Sequence, residues 1–128
     1  MIFDLKVPIL GFDDVNRVAL EKVDDIFMRL KSPDNEHISF TLVDPFILRD
    51  YEFEIPIATQ TLLEISERSN ILIYNIMMTQ DPIENSVINF IAPIVFNTDT
   101  KTAAQVILNT PIYGVAEPVS SFLSAEKR

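Results

Sequence analysis

Apolar and polar residues alternate along three stretches of this chain, a pattern typical of strands with one buried face. The stretches are residues 26–31, 37–43 and 51–55. The polar residues 32–35 separate the first two stretches and have the composition of a tight turn. The pattern therefore predicts an antiparallel hairpin followed by a third short strand.

Two later stretches are apolar on both faces, as expected for strands that are covered on both sides. Residues 71–78 are predicted to form a central strand. Residues 87–96 are equally apolar, but Pro93 lies among them and has no backbone N–H to donate. This second strand is therefore predicted to lie at an edge or to contain a bulge, and residues 105–108 predict one more strand.

A single helix is predicted between these two groups of strands. It follows Pro56 and covers residues 57–67, with Thr61 and Glu64 spaced as in a capping box. Six or seven short strands with one short helix indicate a mainly β fold, a small antiparallel barrel or sandwich. The whole chain, residues 1–128, is predicted to be one domain, and its tail, residues 117–128, is predicted to be loosely held.

The composition narrows the possible functions. The 128 residues include 19 acidic and 10 basic ones, for a net charge of -9, which disfavours direct binding to nucleic acid or to an anionic membrane. There is no cysteine, His37 is the only histidine, and there are two glycines. Thiolate sites, multi-histidine metal sites and glycine-rich phosphate loops are thereby excluded. We therefore expect a protein that is not an enzyme and has no cofactor. A cytoplasmic location is expected because the opening residues do not have a signal-peptide pattern and no apolar stretch is long enough to span a membrane.

Acidic residues are concentrated in the first half of the chain. Residues 1–64 contain 13 of the 19 acidic side chains, with one dense group at 13–25 and another at 44–54. The simpler interpretation is a solvated surface that favours solubility. The alternative is a docking face for a basic partner, since complementary charge speeds and orients association.

Two polar or flexible features within apolar stretches also need an interpretation. Asn89 lies in the apolar run 87–91, and its amide is predicted to be satisfied by backbone groups, through a bulge near Pro93, rather than by a ligand. The pair Met77 and Met78 is predicted to fill the core.

Four segments carry a resemblance to a known family. Residues 86–97 (SVINFIAPIVFN) with 105–108 (QVIL) resemble the signature of the FliW family of bacterial flagellar assembly factors. Residues 8–12, 27–32 and 44–53 resemble further family segments in the same order, and Tyr113 resembles a tyrosine that often follows. The resemblance covers about residues 7–115.

The chain departs from the family pattern near its start. Many members have a strand before the segment that corresponds to residues 8–12, whereas this chain begins almost directly at that segment. Val7 and Leu10 replace a glycine and a proline of the family motif, and Lys31 replaces a glutamine. These differences concern the N-terminal edge and any contact made there.

The resemblance implies a cytoplasmic, non-enzymatic regulator with a small β-barrel fold and no cofactor. Members bind flagellin near its C-terminal region before export. They also bind CsrA, a small basic RNA-binding protein that represses flagellin translation, and they do so without contacting nucleic acid themselves. Flagellin export then frees the family member to capture CsrA, so that flagellin synthesis is coupled to export.

The resemblance also suggests where the two partners bind. The acidic first half suits CsrA, and the amphipathic helical segment of flagellin would need an apolar groove or platform. The aromatic candidates could instead plug the ends of the barrel. The candidate partner-binding residues are Phe12, Asp44, Pro45, Phe46, Asp50, Tyr51 and Glu52.

Two other functions remain open at this point. A generic acidic chaperone or inhibitor of another basic protein would share every compositional feature and differ only in its partners. A barrel that binds a small ligand is the other alternative, although its interior would need smaller residues than the Ile, Leu, Phe and Met of these strands.

Overall fold

The computed structural model describes residues 1–122. Within that range the strands and helices follow one another in short elements. They are β1 (Ile2–Val7), β2 (Arg17–Lys22), β3 (Phe27–Ser32), β4 (Asn35–Val43), α1 (Pro45–Leu48), α2 (Ile57–Leu62), β5 (Ile71–Met78), a 3-10 turn (Ile83–Asn85), β6 (Val87–Ile88), β7 (Ile94–Asn97), β8 (Thr102–Gln105) and β9 (Glu117–Pro118).

Seven of these strands form a closed barrel, which confirms the predicted mainly β class. The strand order is β4-β3-β2-β1-β8-β7-β5, and pairing of β4 with β5 closes the ring. β1 runs parallel to β8, whereas the other barrel pairs are antiparallel. β6 and β9 extend the sheet beyond β5.

Large apolar side chains fill the barrel. Phe3 of β1, Leu30 of β3 and Phe96 of β7 are fully buried in the main cluster. The rings of Phe3 and Phe96 meet edge to face with their centroids 5.0 Å apart. A second cluster forms around Tyr51 and Phe90, which do not belong to any of the strands. Their side chains pack with Met77 of β5 and Ile88 of β6.

The predicted hairpin is confirmed, but the predicted helix is too long. β3 and β4 pair antiparallel with Leu30 opposite Phe40. Helix α2 ends at Leu62, and Pro56 is its N-cap, so Thr61 and Glu64 do not form a capping box. Glu64 has a positive φ of 53°, which no helix accommodates, and the chain leaves the helix there.

Three predicted strands differ from the structure for one shared reason, which is that an apolar pattern reports burial and not pairing. Residues 51–55 are extended, with alternate residues turned inward, but have no ladder partner. The run 87–96 is split into β6 and β7, as the predicted bulge allowed, and the strand placed at 105–108 lies instead at Thr102–Gln105.

Both ends of the described range, residues 1–122, contain paired strands. The strand that appeared to be missing before residue 8 is present as β1, which pairs with β2 and β8. In the tail, Glu117–Pro118 pair with β6, and Val119 is fully buried. The rest of the predicted loose tail, residues 123–128, lies outside the described residues.

Candidate protein-binding surfaces

A wide bulge between β6 and β7 organises one end of the barrel. Both strands pair with the same edge of β5, with Ile88 opposite Met77 and Ile94 opposite Tyr74. Residues 89–93 therefore lie opposite only two residues of β5, and the excess chain must bend out of the sheet. We call residues 89–93 the bulge.

The bulge is held by a buried polar network around Tyr51. The Tyr51 hydroxyl donates to the carbonyl of Phe90 at 2.7 Å, and it accepts from Nδ2 of Asn75 at 3.2 Å. Asn75 Nδ2 also donates to the carbonyl of Asn89 at 2.9 Å. Burial raises the pKa of Tyr51 from 10.0 to about 12, although its hydrogen bond from Asn75 favours the charged form.

The side chain of Asn89 completes this arrangement. Its Oδ1 accepts from the backbone N–H of Ile91 at 3.1 Å, within the bulge itself. The prediction that Asn89 is satisfied by backbone groups is therefore confirmed for its side-chain oxygen. Asn75, the fully buried amide of the network, was not identified from the sequence.

Arg49 clamps the C-terminal residues onto the same region. Its guanidinium lies 5.0 Å from the ring centroid of Phe90, 4.9 Å from that of Tyr113 and 5.6 Å from that of Phe122. Arg49 Nη1 also forms a 2.8 Å ion pair with Glu117. Since the cation stacks on rings and meets a carboxylate together, Arg49 joins helix α1 to β9.

An apolar groove of about 640 Å³ adjoins the bulge, which contributes Asn89, Ile91 and Ala92 to its lining. Several large apolar side chains on its wall are exposed to solvent, at 78% for Leu10, 61% for Met78 and 60% for Ile107. Exposed apolar side chains concentrated at one groove indicate a binding surface. The groove is lined by Ile9, Leu10, Phe12, Ser39, Phe40, Thr41, Ile76, Met77, Met78, Thr79, Gln80, Asn89, Ile91, Ala92, Gln105, Ile107 and Val115.

Gln105 and Gly11 position the loop that forms one wall of the groove. Gln105 is buried, and its Oε1 accepts from the backbone N–H of Leu10 at 2.7 Å. Gln105 Nε2 donates to the carbonyl of Ala92 in the bulge. Gly11 follows with a φ of 89°, a conformation that glycine adopts without strain, so the chain turns and leaves Leu10 projecting.

An acidic segment lies apart from the groove. Asp50, Glu52 and Glu54 are exposed along the extended chain between α1 and α2, and none of them forms an ion pair with a described residue. The hydroxyl of Tyr113 accepts from the backbone N–H of Glu52 at 2.9 Å, which fixes this chain against the loop after β8. We call residues 50–54 the acidic segment.

The earlier acidic group contains a carboxylate with a structural role. Oδ1 of Asp24 accepts from the backbone N–H groups of Phe27 and Ile26, at 2.8 and 2.9 Å. These two bonds lower the pKa of Asp24 and close the turn between β2 and β3. Asp24, one member of the acidic group at residues 13–25, therefore stabilises a turn of the fold.

The structure divides the predicted binding residues between several environments. Phe12 lines the groove, with its ring 4.9 Å from that of Phe40. Asp44 caps helix α1 by accepting from the N–H of Phe46 at 2.9 Å, and Pro45 is buried as the first residue of that helix. The exposed members of the set are Phe12, Phe46, Asp50 and Glu52, whereas Tyr51 is only 6% exposed.

The sequence did not identify most of the groove. Leu10, Ile107 and Val115 come from separate loops, and no spacing along the chain connects them. Met78 was predicted to fill the core together with Met77; Met77 is buried as predicted, but Met78 is exposed in the groove.

Comparison with known proteins gives consistent results over nearly the whole chain. The family described as FliW protein matches residues 1–119. The flagellar assembly factor FliW of Sulfurimonas denitrificans is 60% identical over 96% of this chain and 98% of its own length. Flagellar assembly factor FliW 2 of Wolinella succinogenes is 47% identical over 98% and 95% of the two chains.

The fold agrees with a solved structure as well. A crystal structure of the flagellar assembly factor FliW superposes with a TM-score of 0.85 at 27% identity, covering 92% of this chain and 84% of the other. In residues 1–122 no helix has the length and hydrophobicity needed to cross a membrane. Sequence and structure together show that the chain belongs to the FliW family of flagellar assembly factors.

Proposed function

We propose that this protein is a cytoplasmic, non-enzymatic regulator that binds flagellin and antagonises CsrA by direct protein binding. The observation that carries the proposal is the presence of an apolar groove and an acidic segment with no lining residue in common. Such a chain can offer two chemically different surfaces to two partners. Flagellin synthesis would then follow export through the relative concentrations of the partners.

Flagellin is assigned to the apolar groove. Its wall exposes Leu10, Met78 and Ile107, whose burial against a partner would be favourable, and Phe12 is held there by Phe40. Positions on six separate parts of the chain contribute, so that a continuous apolar segment of a partner could contact several of them at once.

CsrA is assigned to the acidic segment. Asp50, Glu52 and Glu54 are exposed, and Arg49, the nearest basic residue in the sequence, is occupied by Glu117. The negative charge of this segment is therefore not neutralised locally and can attract a basic protein.

The proposal is tested by calorimetric titration of the purified protein with flagellin and then with CsrA, each at low and moderate salt. Binding of both, with the affinity for CsrA falling as salt rises, is the expected result. Binding of a different basic protein, with neither of these two bound, would favour the generic acidic chaperone instead.

Changing Ile107 to Asp is expected to weaken flagellin binding by about tenfold or more, because a carboxylate would have to be desolvated against the apolar segment. Ile107 is 60% exposed, so that the fold should tolerate the change. Val23→Asp is the matched control, since Val23 is 53% exposed and does not line the groove. Equal affinities of the two variants would contradict the assignment of flagellin to the groove.

Changing Asp50 and Glu52 together to Lys is expected to weaken CsrA binding at low salt by about tenfold, mainly through slower association. Flagellin binding should be unchanged. Asp25→Lys serves as the control, because the Asp25 side chain is 95% exposed in the turn before β3, contacts only Lys22 among the described ion pairs and lies outside the acidic segment. Unchanged CsrA affinity in the double variant would show that CsrA binds elsewhere.

A further inference from the structure

Strand β4 has a free edge beside the groove. β4 pairs with β3 at Asn35 and again over residues 39–43, but it pairs with β5 only at Thr41, Leu42 and Val43. Residues 35–40 therefore lack a strand on the β5 side within the described chain. A free strand edge presents unpaired backbone groups and is a template for another strand.

The direction of the backbone groups at this edge follows from the register. The carbonyl of Ile76 accepts from the N–H of Asn89, so the backbone N–H and C=O groups of Ile76 point away from β4. The backbone N–H and C=O groups of its neighbour Met77 therefore point toward β4, where Met77 pairs with Thr41. Because backbone direction alternates along a strand, Ser39 faces the same edge as Thr41, and outside the β3–β4 ladder no bond from residues 1–122 reaches its backbone.

This edge forms one wall of the apolar groove. Ser39, Phe40 and Thr41 line one side, and Thr79 and Gln80, which follow β5, line it as well. The two strands therefore separate immediately beyond the Thr41–Met77 pair, and the groove occupies the space between them. Backbone pairing and apolar contact are available to the same occupant.

The charge around the groove selects the occupant. Asp13, Asp14 and Asp81 are exposed within two residues of its lining positions, and none of them pairs with a described cation. On β3, Arg29 and Lys31 lie opposite Thr41 and Ser39. Lys31 is neutralised by Glu21, which leaves one guanidinium without a described ion pair against three such aspartates. A second copy of this chain, with its net charge of -9, would bring like charges together, whereas a basic segment would be attracted.

We infer that the groove receives its partner as an extended segment, which pairs with the edge of β4 at Ser39, places apolar side chains in the groove and carries Lys or Arg toward the acidic rim. This inference rests on the proposed function, since flagellin is taken as the partner. It replaces helix packing with strand addition as the mode of contact.

Hydrogen exchange of the wild-type protein tests this mode directly. On addition of flagellin, the Ser39 amide is expected to exchange at least about tenfold more slowly, because it becomes hydrogen-bonded. A helix packed into the groove through side chains alone would leave the exchange of this amide unchanged. That result, with flagellin bound, would overturn strand addition.

Two substitutions at one position separate the backbone from the side chain. Ser39→Pro removes the edge N–H and is expected to weaken flagellin binding about tenfold. Ser39→Ala removes only the hydroxyl and keeps the N–H, so the loss in Ser39→Pro beyond that in Ser39→Ala measures the backbone bond. If Ile107→Asp weakens binding but Ser39→Pro does not, the groove assignment stands and the extended mode fails. If the wild-type protein binds no flagellin, both fail.

Discussion

Replacing Tyr51 by alanine is expected to lower the free energy of unfolding by about 3–5 kcal/mol, the range for removing a large buried aromatic side chain. Tyr51 is 6% exposed, and its ring contacts those of Phe53, Phe90 and Tyr113 at centroid distances of 5.8, 5.7 and 4.6 Å. Its loss would leave a cavity in the second cluster. The carbonyl of Phe90 would also lose its 2.7 Å hydrogen bond.

The conservative change Tyr51→Phe separates the ring from the hydroxyl. It keeps the packing but removes the bonds to Phe90 and Asn75, and the expected cost is about 1–3 kcal/mol for the polar groups left buried. Urea unfolding followed by circular dichroism measures both variants, since the chain has no tryptophan. Tyr51→Ala with wild-type stability would show that Tyr51 does not support the fold.

This result also bears on partner binding. Tyr51 lies between Asp50 and Glu52 in the sequence, but its side chain points into the protein while theirs are exposed. Loss of binding in Tyr51→Ala would therefore reflect a disturbed bulge and acidic segment. Tyr51→Phe, which leaves the surface unchanged, is the variant that should retain both partners.

The sequence predicted strands well where an alternating pattern coincided with a ladder partner. The hairpin of β3 and β4 was found this way, and the central strand β5 was found from a run that is apolar on both faces. The pattern at 51–55 was equally regular, but Pro56 ends it and no neighbouring strand pairs with it. β1 was missed because comparison with the family pattern indicated that this chain begins without the strand that precedes residues 8–12 in many members.

The groove could be predicted only in part, because it depends on tertiary contacts. Phe12, the last residue of the recognised segment 8–12, was selected as a candidate for contact with the apolar partner, and it does line the groove. The position of Leu10 depends on Gln105, which is 95 residues away in the sequence. A pattern within one segment carries no information about such a contact, so the groove became visible only in the folded chain.

The stability of the protein should also fall steeply at alkaline pH, because Tyr51 has a pKa of about 12 in the folded protein and of about 10 when unfolded. The unfolded chain then loses its proton first. Tyr51 thus contributes its full share of stability below about pH 10, and this share is lost as the pH rises through about 12. The two-unit difference corresponds to about 2–3 kcal/mol.

Tyr51→Phe isolates this contribution from other groups that titrate in the same range. The pKa of Tyr74 is also raised by burial, but Tyr74 is present in both proteins and cancels in the comparison. Urea unfolding at several pH values between about 8 and 12 should therefore show the wild type losing its advantage over Tyr51→Phe. A constant difference across that range would mean that the Tyr51 hydroxyl ionises as readily in the folded protein as in water, and that the network with Asn75 and Phe90 does not hold it protonated.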